Sequence, residues 1–289
     1  ADDAKEAYDL MIQYVSRAER AVKKLKSKKI KQIKKFSTKF NVHEIAPIIR
    51  GLLSENKDQK FVVNYRLNKL LKYFINEGAI VFGSSRNKRE LTKEDEQKCN
   101  FELLDLSNED NVKEYVNTII KKEDEIDILI NNAGVAHNLA LVEEIDSTML
   151  DSVVRDNLMP TFNMTKYIIP VMKKNNSGTI INISSRAGRR AVPKLSAYTA
   201  AKFAVRGLTE SVAKEVQDTN IKCISISPAG VNTGMRAMVF GEEDSSNQQT
   251  TERISKIISS ILLGELQVTN GSDVVIIKDK EPIIRGFEN

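Results

Sequence analysis

Tyr198 and Lys202 stand four residues apart in Tyr-Thr-Ala-Ala-Lys, a spacing that puts a phenol and an ammonium on one face of a helix. A tyrosine of ordinary pKa, about 10, is a poor acid or base near pH 7, and an ammonium beside it favours the phenolate and lowers that value. Together they make a usable proton donor. Ser185, thirteen residues before Tyr198, closes an apolar β-branched run. Its hydroxyl could hold a carbonyl oxygen against the phenol. A hydride donor would complete a ketone reduction.

These groups need a scaffold that brings strand ends and a helix face together. Short apolar runs supply the strands: 79–82, 101–104, 126–130, 179–183, 223–226 and 274–277, with 61–63 as a short central strand. Strands apolar on both faces belong to a parallel sheet covered by helices. Amphipathic stretches between them (67–76, 148–173, 197–218 and 251–263) supply the cover, and Ser107 with Asp110 reads as a capping box opening a further helix through Val112, Tyr115, Val116 and Ile119. Alternation of this kind predicts a doubly wound, Rossmann-like, three-layer α/β fold over residues 59–289. In such a sheet ligands bind beyond the carboxyl ends of the strands. The ends in question are Asp105-Leu106, Asn131-Asn132-Ala133-Gly134, Ser184-Ser185 and Pro228-Ala229-Gly230-Val231-Asn232-Thr233.

Asn131-Asn132-Ala133-Gly134, Ser185 and Tyr198-x-x-x-Lys202, followed by Pro228-x-x-Val231-x-Thr233, resemble the short-chain dehydrogenases/reductases from about Lys72 to the last strand. The resemblance implies an oxidoreductase that interconverts a small-molecule carbonyl and a secondary alcohol by hydride transfer. It implies Tyr198 as general acid/base, Lys202 as its modulator and a ribose ligand, Ser185 as the group orienting the substrate oxygen, and Asn157 as a water holder in a proton relay. It further implies that Asp105 and Leu106 flank an adenine, that Asn132 and Gly134 line the cofactor cleft, and that Pro228, Val231 and Thr233 lie against the nicotinamide. A homodimer or homotetramer packed through the helices of Asn157 and Tyr198 is implied as well.

Two features bear on the cofactor. The second strand runs into Gly83-Ser84-Ser85-Arg86 without the acid that would bind a ribose 2′-hydroxyl, and an arginine suits a 2′-phosphate, so NADP is expected over NAD. The glycine-rich turn that family members place after the first strand is absent, since no glycine lies between Gly51 and Gly78. Asn64 could instead cap a helix there and bring Arg66 to the phosphates. The rival reading is a non-catalytic Rossmann-like protein that has lost its cofactor turn and acts through binding.

The net charge of +5 is unevenly spread: residues 1–60 carry +7 and residues 61–289 carry −2. The first 58 residues read as a basic helical extension, with eleven basic residues and one acid between Arg17 and Lys39. Residues 17–39 could attract nucleic acid or an anionic membrane, but a charge run is more often a solvated face, and that plainer reading is favoured. No apolar run nears the roughly 18 residues of a membrane span and the N-terminus lacks a signal pattern, so a cytoplasmic location is expected. Two cysteines and two histidines make no metal centre, and Cys99 and Cys223 read as buried hydrophobes. Residues 235–250 lack strong periodicity and sit where the family has a mobile substrate loop, so they are expected to form a lid.

Overall fold

The computed structural model describes residues 60–64, 79–86 and 99–286. Its strands are β1 Lys60–Asn64, β2 Ile80–Ser85, β3 Cys99–Leu103, β4 Ile128–Asn131, β5 Gly178–Ile183, β6 Ile221–Pro228, β7 Asp273–Ile276 and β8 Ile283–Arg285. They form one sheet in the order β3-β2-β1-β4-β5-β6-β7-β8. The first seven are parallel and β8 pairs antiparallel with β7. The run at 61–63 is therefore the central strand, and the winding direction reverses between β1 and β4. The expected all-parallel sheet needs one correction at its edge, because Ile283–Arg285 is exposed throughout and carries no burial pattern that sequence could reveal. The expected cap at Asn64, the helix at 67–76, Arg66 and the basic residues 1–58 lie outside the described residues or side chains.

The helices are α1 Glu109–Lys122, α2 Ser147–Asn175, α3 Ser196–Glu215, α4 Gly234–Phe240, α5 Glu242–Ser246 and α6 Thr251–Leu262. α1, α2 and α6 each start from a side-chain cap, whereas α3 opens at Leu195 without one. Asn108, not the expected Ser107, caps α1 by accepting from the backbone N–H groups of Asp110 and Asn111. Ser107 is drawn away because its own N–H and hydroxyl both donate to Asp105 Oδ1. Acids in the first turn of α1 and lysines in its last turn complement the helix dipole. Asp146 caps α2, which ends where Asn176 turns left-handed at φ 47°.

Successive strand residues feed opposite faces of the sheet. Ile128, Ile130, Ile181, Ile224 and Ile226 pack with Ile254, Ile257, Ile258 and Ile261 of α6. Leu129, Ile180 and Cys223 pack with Val112 and Ile119 of α1, Met164 and Ile168 of α2, and Val212 of α3 on the other. On this second face runs a row of polar side chains, since Asn131, Asn182, Ser225 and Asp273 are in register across β4 to β7. Asn131 Nδ2 donates to Asn182 Oδ1 at 2.8 Å and to Thr165 Oγ1 at 3.1 Å, and Asn182 Nδ2 donates to Thr209 Oγ1 at 2.9 Å. Buried polar groups are tolerable when paired in this way, and the pairs tie α2 and α3 to the strand ends.

Candidate active site

Tyr198 and Lys202 lie in the first two turns of α3, and Ser185 caps the short 3-10 turn Arg186–Gly188 that leaves β5. The helix is seated on that turn by direct contacts. Ser184 Oγ donates to the Lys202 carbonyl oxygen at 2.9 Å, and Arg206 Nη1 donates to the Gly188 carbonyl at 3.0 Å. A Cβ on Gly188 would fall 2.6 Å from the Lys202 carbonyl oxygen, so only glycine allows the turn to come this close. The Lys202 ammonium is buried, donates to the Ile183 carbonyl oxygen at 3.1 Å, and lies 5.8 Å from the centre of the Tyr198 ring. Ser185 Oγ accepts from the Ala187 N–H at 3.1 Å, which fixes the oxygen and leaves its own O–H to donate.

Asn157, in the middle of α2, is fully buried. Its Nδ2 donates to the carbonyls of Val135 at 2.8 Å and Val153 at 2.7 Å. Its Oδ1 has no hydrogen-bond partner among the described residues. A Cβ on Gly134 would come within 2.5 Å of that oxygen and 3.2 Å of Lys202 Nζ, so Gly134, Asn157 and Lys202 meet at one corner. The buried Asn132 Nδ2 is a second polar atom without a partner.

These groups open on a cleft of roughly 880 Å³. Of the residues expected from sequence, it gathers Asn132, Gly134, Ser185, Tyr198, Lys202, Pro228, Val231 and Thr233, with Asn157 directly behind Gly134. Pro228 ends β6, Val231 bridges to Gln249, and Thr233 caps α4 by accepting from the Arg236 N–H. The stretch 235–250, expected to be aperiodic, forms α4 and α5, and Met235, Met238, Val239 and Phe240 of α4 contribute to the cleft wall. The stub of this segment is anchored by Ser245 Oγ, which donates to Asn232 Oδ1 and the Thr233 carbonyl oxygen, both at 3.2 Å.

Arg86, Asp105 and Leu106 are not brought into that lining. The Arg86 guanidinium is half exposed and pairs with Asp156 at 2.7 Å. Asp105 accepts from Ser107, and the Leu106 side chain packs in the core beside α1 while its carbonyl accepts from Asn163 Nδ2 at 3.0 Å. The residues present fit a nicotinamide and its ribose: a buried ammonium, two partnerless amide atoms, a close-approach glycine and a long cleft. The stretch that would face the pyrophosphate, Tyr65 onward, is outside the described residues.

Sequence reasoning missed the group that braces the site from behind. Asp273 on β7 is buried and accepts from Ser225 Oγ at 2.6 Å and Ser227 Oγ at 2.7 Å. Its other oxygen meets Arg189 Nε, and Arg206 Nε lies 3.7 Å away. Arg189 belongs to the Ser185 turn, and Arg206 follows Lys202 by four residues. Only a buried-looking acid at the head of an apolar strand signalled this arrangement.

A family model described as short chain dehydrogenase matches residues 68–244. Among curated relatives, a 3-oxoacyl-[acyl-carrier-protein] reductase of Thermotoga maritima is 34% identical over 168 residues, covering 56% of this chain and 68% of that protein. A 3-ketodihydrosphingosine reductase of Bacteroides thetaiotaomicron is 37% identical over 162 residues, covering 55% of this chain and 57% of that protein. The chain thus spans little more than half the length of the second. Among solved structures, ElxO with NADP bound is 26% identical with a TM-score of 0.68, over 75% of this chain and 96% of that one. A 4-hydroxyisoleucine dehydrogenase complexed with NADH superposes comparably, at 25% identity and a TM-score of 0.65, over 75% of this chain and 96% of that one.

Proposed function

This chain belongs to the short chain dehydrogenase family, NAD(P)-dependent oxidoreductases acting on CH–OH and C=O groups, and from that premise we propose that it interconverts a carbonyl and a secondary alcohol with NADP(H) as preferred cofactor. The observation that carries the reading is the buried Lys202 ammonium beside Tyr198 on a cleft shared with Ser185. Burying an ammonium is costly unless nearby groups make use of its charge.

In the reducing direction Ser185 Oγ donates to the substrate oxygen and holds it against the phenol of Tyr198. The Tyr198 O–H gives up its proton as that oxygen becomes an alkoxide, and the Lys202 ammonium faces the phenolate that remains. A bound nicotinamide supplies the hydride, or accepts it in the reverse direction. Asn157 Oδ1 holds the water through which a proton returns. Asn132, Gly134, Pro228, Val231 and Thr233 would hold the nicotinamide end, Asp105 and Leu106 would flank the adenine, and Arg86, now paired with Asp156, would be the group for the 2′-phosphate. Absence of an acid at the end of β2 supports NADP, while the solved neighbours include both an NADP-bound and an NADH-bound protein and support a nicotinamide cofactor generally. The protein is cytoplasmic in this reading; among the described residues no helix is long and apolar enough to cross a membrane. It pairs through α2 and α3, where Phe162 and Phe203 are each 42% exposed.

The test is thermal stability with and without NADPH and NADH at millimolar concentration, followed by carbonyl reduction by the wild type and Tyr198→Phe. A native-state ligand must raise the melting temperature by mass action. The expected result is a rise with NADPH exceeding that with NADH, and a loss of about a thousandfold in turnover on removing the phenolic proton while the NADPH shift stays. No shift with either nucleotide would overturn the reading. It would favour a non-catalytic Rossmann-like protein acting through binding, which the glycine-free stretch Asn64-Tyr65-Arg66 supports.

A further inference from the structure

The charges around the cleft are one-sided. Its described lining includes Arg186, Arg190, Lys202, Arg236 and Lys278 and not one Asp or Glu. The whole chain carries acids nearly as often as bases, 39 against 44, so the bias belongs to the cleft and not to the composition. Three of the five cations have protein partners. Lys202 faces Tyr198, Arg236 pairs with Asp244 at 2.6 Å and stacks on Phe240 at 4.3 Å, and Lys278 donates to the Asn247 carbonyl at 2.8 Å. Among the described residues, the exposed side chains of Arg186 and Arg190 meet neither an ion-pair partner nor a hydrogen-bond partner.

Those two arginines are held in place by their backbone. Both lie in the turn that begins at Ser185, and the Arg190 N–H donates to the Arg186 carbonyl at 2.9 Å. Arg189, between them, turns away from the cleft to Asp273. Arg186 is therefore one residue from Ser185, and both line the cleft. Beyond them the wall becomes apolar through Ala191, Val192, Pro193 and Leu195, and through α4. A planar guanidinium is matched to a carboxylate or phosphate by two parallel N–H donors.

Resting on the oxidoreductase reading above, we propose that the substrate is an apolar carbonyl compound bearing a carboxylate or a phosphate, and that Arg186 and Arg190 receive that anion. The alkyl body lies along the 191–195 stretch and α4, and the anion fixes which end of the molecule reaches Ser185 and Tyr198.

The experiment compares kcat/KM within two matched pairs that differ in charge: 9-oxodecanoate against its methyl ester for a carboxylate, and acetoacetyl-coenzyme A against acetoacetyl-N-acetylcysteamine for a phosphate. The expected result is a preference of up to about fivefold for the anionic member of one pair, the scale of an ion pair at an exposed site. That preference shrinks at roughly 0.5 M salt, where such attractions are screened. It falls toward unity in Arg186→Gln/Arg190→Gln and survives in part in the lysine double variant, which keeps the charge without the fork. A melting-temperature rise with NADPH verifies that each variant is folded. Ratios near one in both pairs, or a ratio unchanged in the glutamine variant, would overturn the inference while leaving the oxidoreductase reading intact. Absence of turnover with all four probes counts against that reading itself and removes this inference with it.

Discussion

Asp273 and Arg189, 84 residues apart in the chain, meet through carboxylate and guanidinium and so tie the turn that starts at Ser185 to the far strand β7. Arg206 approaches the same carboxylate while holding the Gly188 carbonyl and Glu210, at 3.0 and 2.8 Å. One buried acid thereby sets the spacing between the turn bearing Ser185 and the helix bearing Tyr198 and Lys202. Asp273 touches no reacting group, so it is a positioning residue.

Asp273→Asn leaves the Arg189 guanidinium without its counter-charge, while Arg206 keeps Glu210. Removing one member of a buried pair costs about 3 kcal/mol, and this one is only partly exposed at its arginine end. Urea unfolding should show a loss of that order. Kinetically, kcat should fall more than KM rises, because Ser185 and Tyr198 lose their mutual placement. A double variant with Arg189→Gln should lose less than the two single losses combined. Additive losses would mean that the two residues do not act as a pair.

Gly134→Ala places a methyl group 2.5 Å from Asn157 Oδ1. The amide is held at its other end by Val135 and Val153, so it cannot turn aside without breaking a bond to one of them. The expected outcome is loss of most of the NADPH-induced rise in melting temperature. Combining it with Asn157→Ala removes the clashing atom and should restore part of the rise. No recovery would place the damage elsewhere than at this corner.

Asp156→Asn frees the Arg86 guanidinium from its 2.7 Å pair. Exposed ion pairs are worth up to about 1 kcal/mol, so NADPH affinity should rise by up to about fivefold while NADH affinity stays level. Arg86→Asp should move the ratio the other way. Calorimetric titration with both nucleotides reads the two effects directly. An unchanged NADPH/NADH ratio in both variants would remove Arg86 from 2′-phosphate recognition.

Local chemistry was written into the sequence. The apolar inner strands, the face shared by Tyr198 and Lys202, the short central strand near 61–63 and the burial of Cys99 and Cys223 could all be read from residue type and spacing, whereas the edge strand β3, expected to be an apolar run, exposes Asn100, Glu102 and Leu103. Burial pushes the Cys223 thiol far up, in keeping with its role as a small hydrophobe.

What required the folded chain were choices among competing polar partners, most of them in distant segments. The cap of α1 passed from Ser107 to Asn108 because Asp105 competes for Ser107. Arg86 gained an acid from the middle of α2, and Leu106 was drawn under α1. Asp273 became the brace of the site, and Arg186 and Arg190 were separated from Arg189 in a five-residue run. Periodicity reports which face of an element is apolar, but a polar partner 50 or 80 residues away leaves no periodic mark. The choice among several nearby polar groups is decided only when the sheet order and register bring one of them within hydrogen-bond reach.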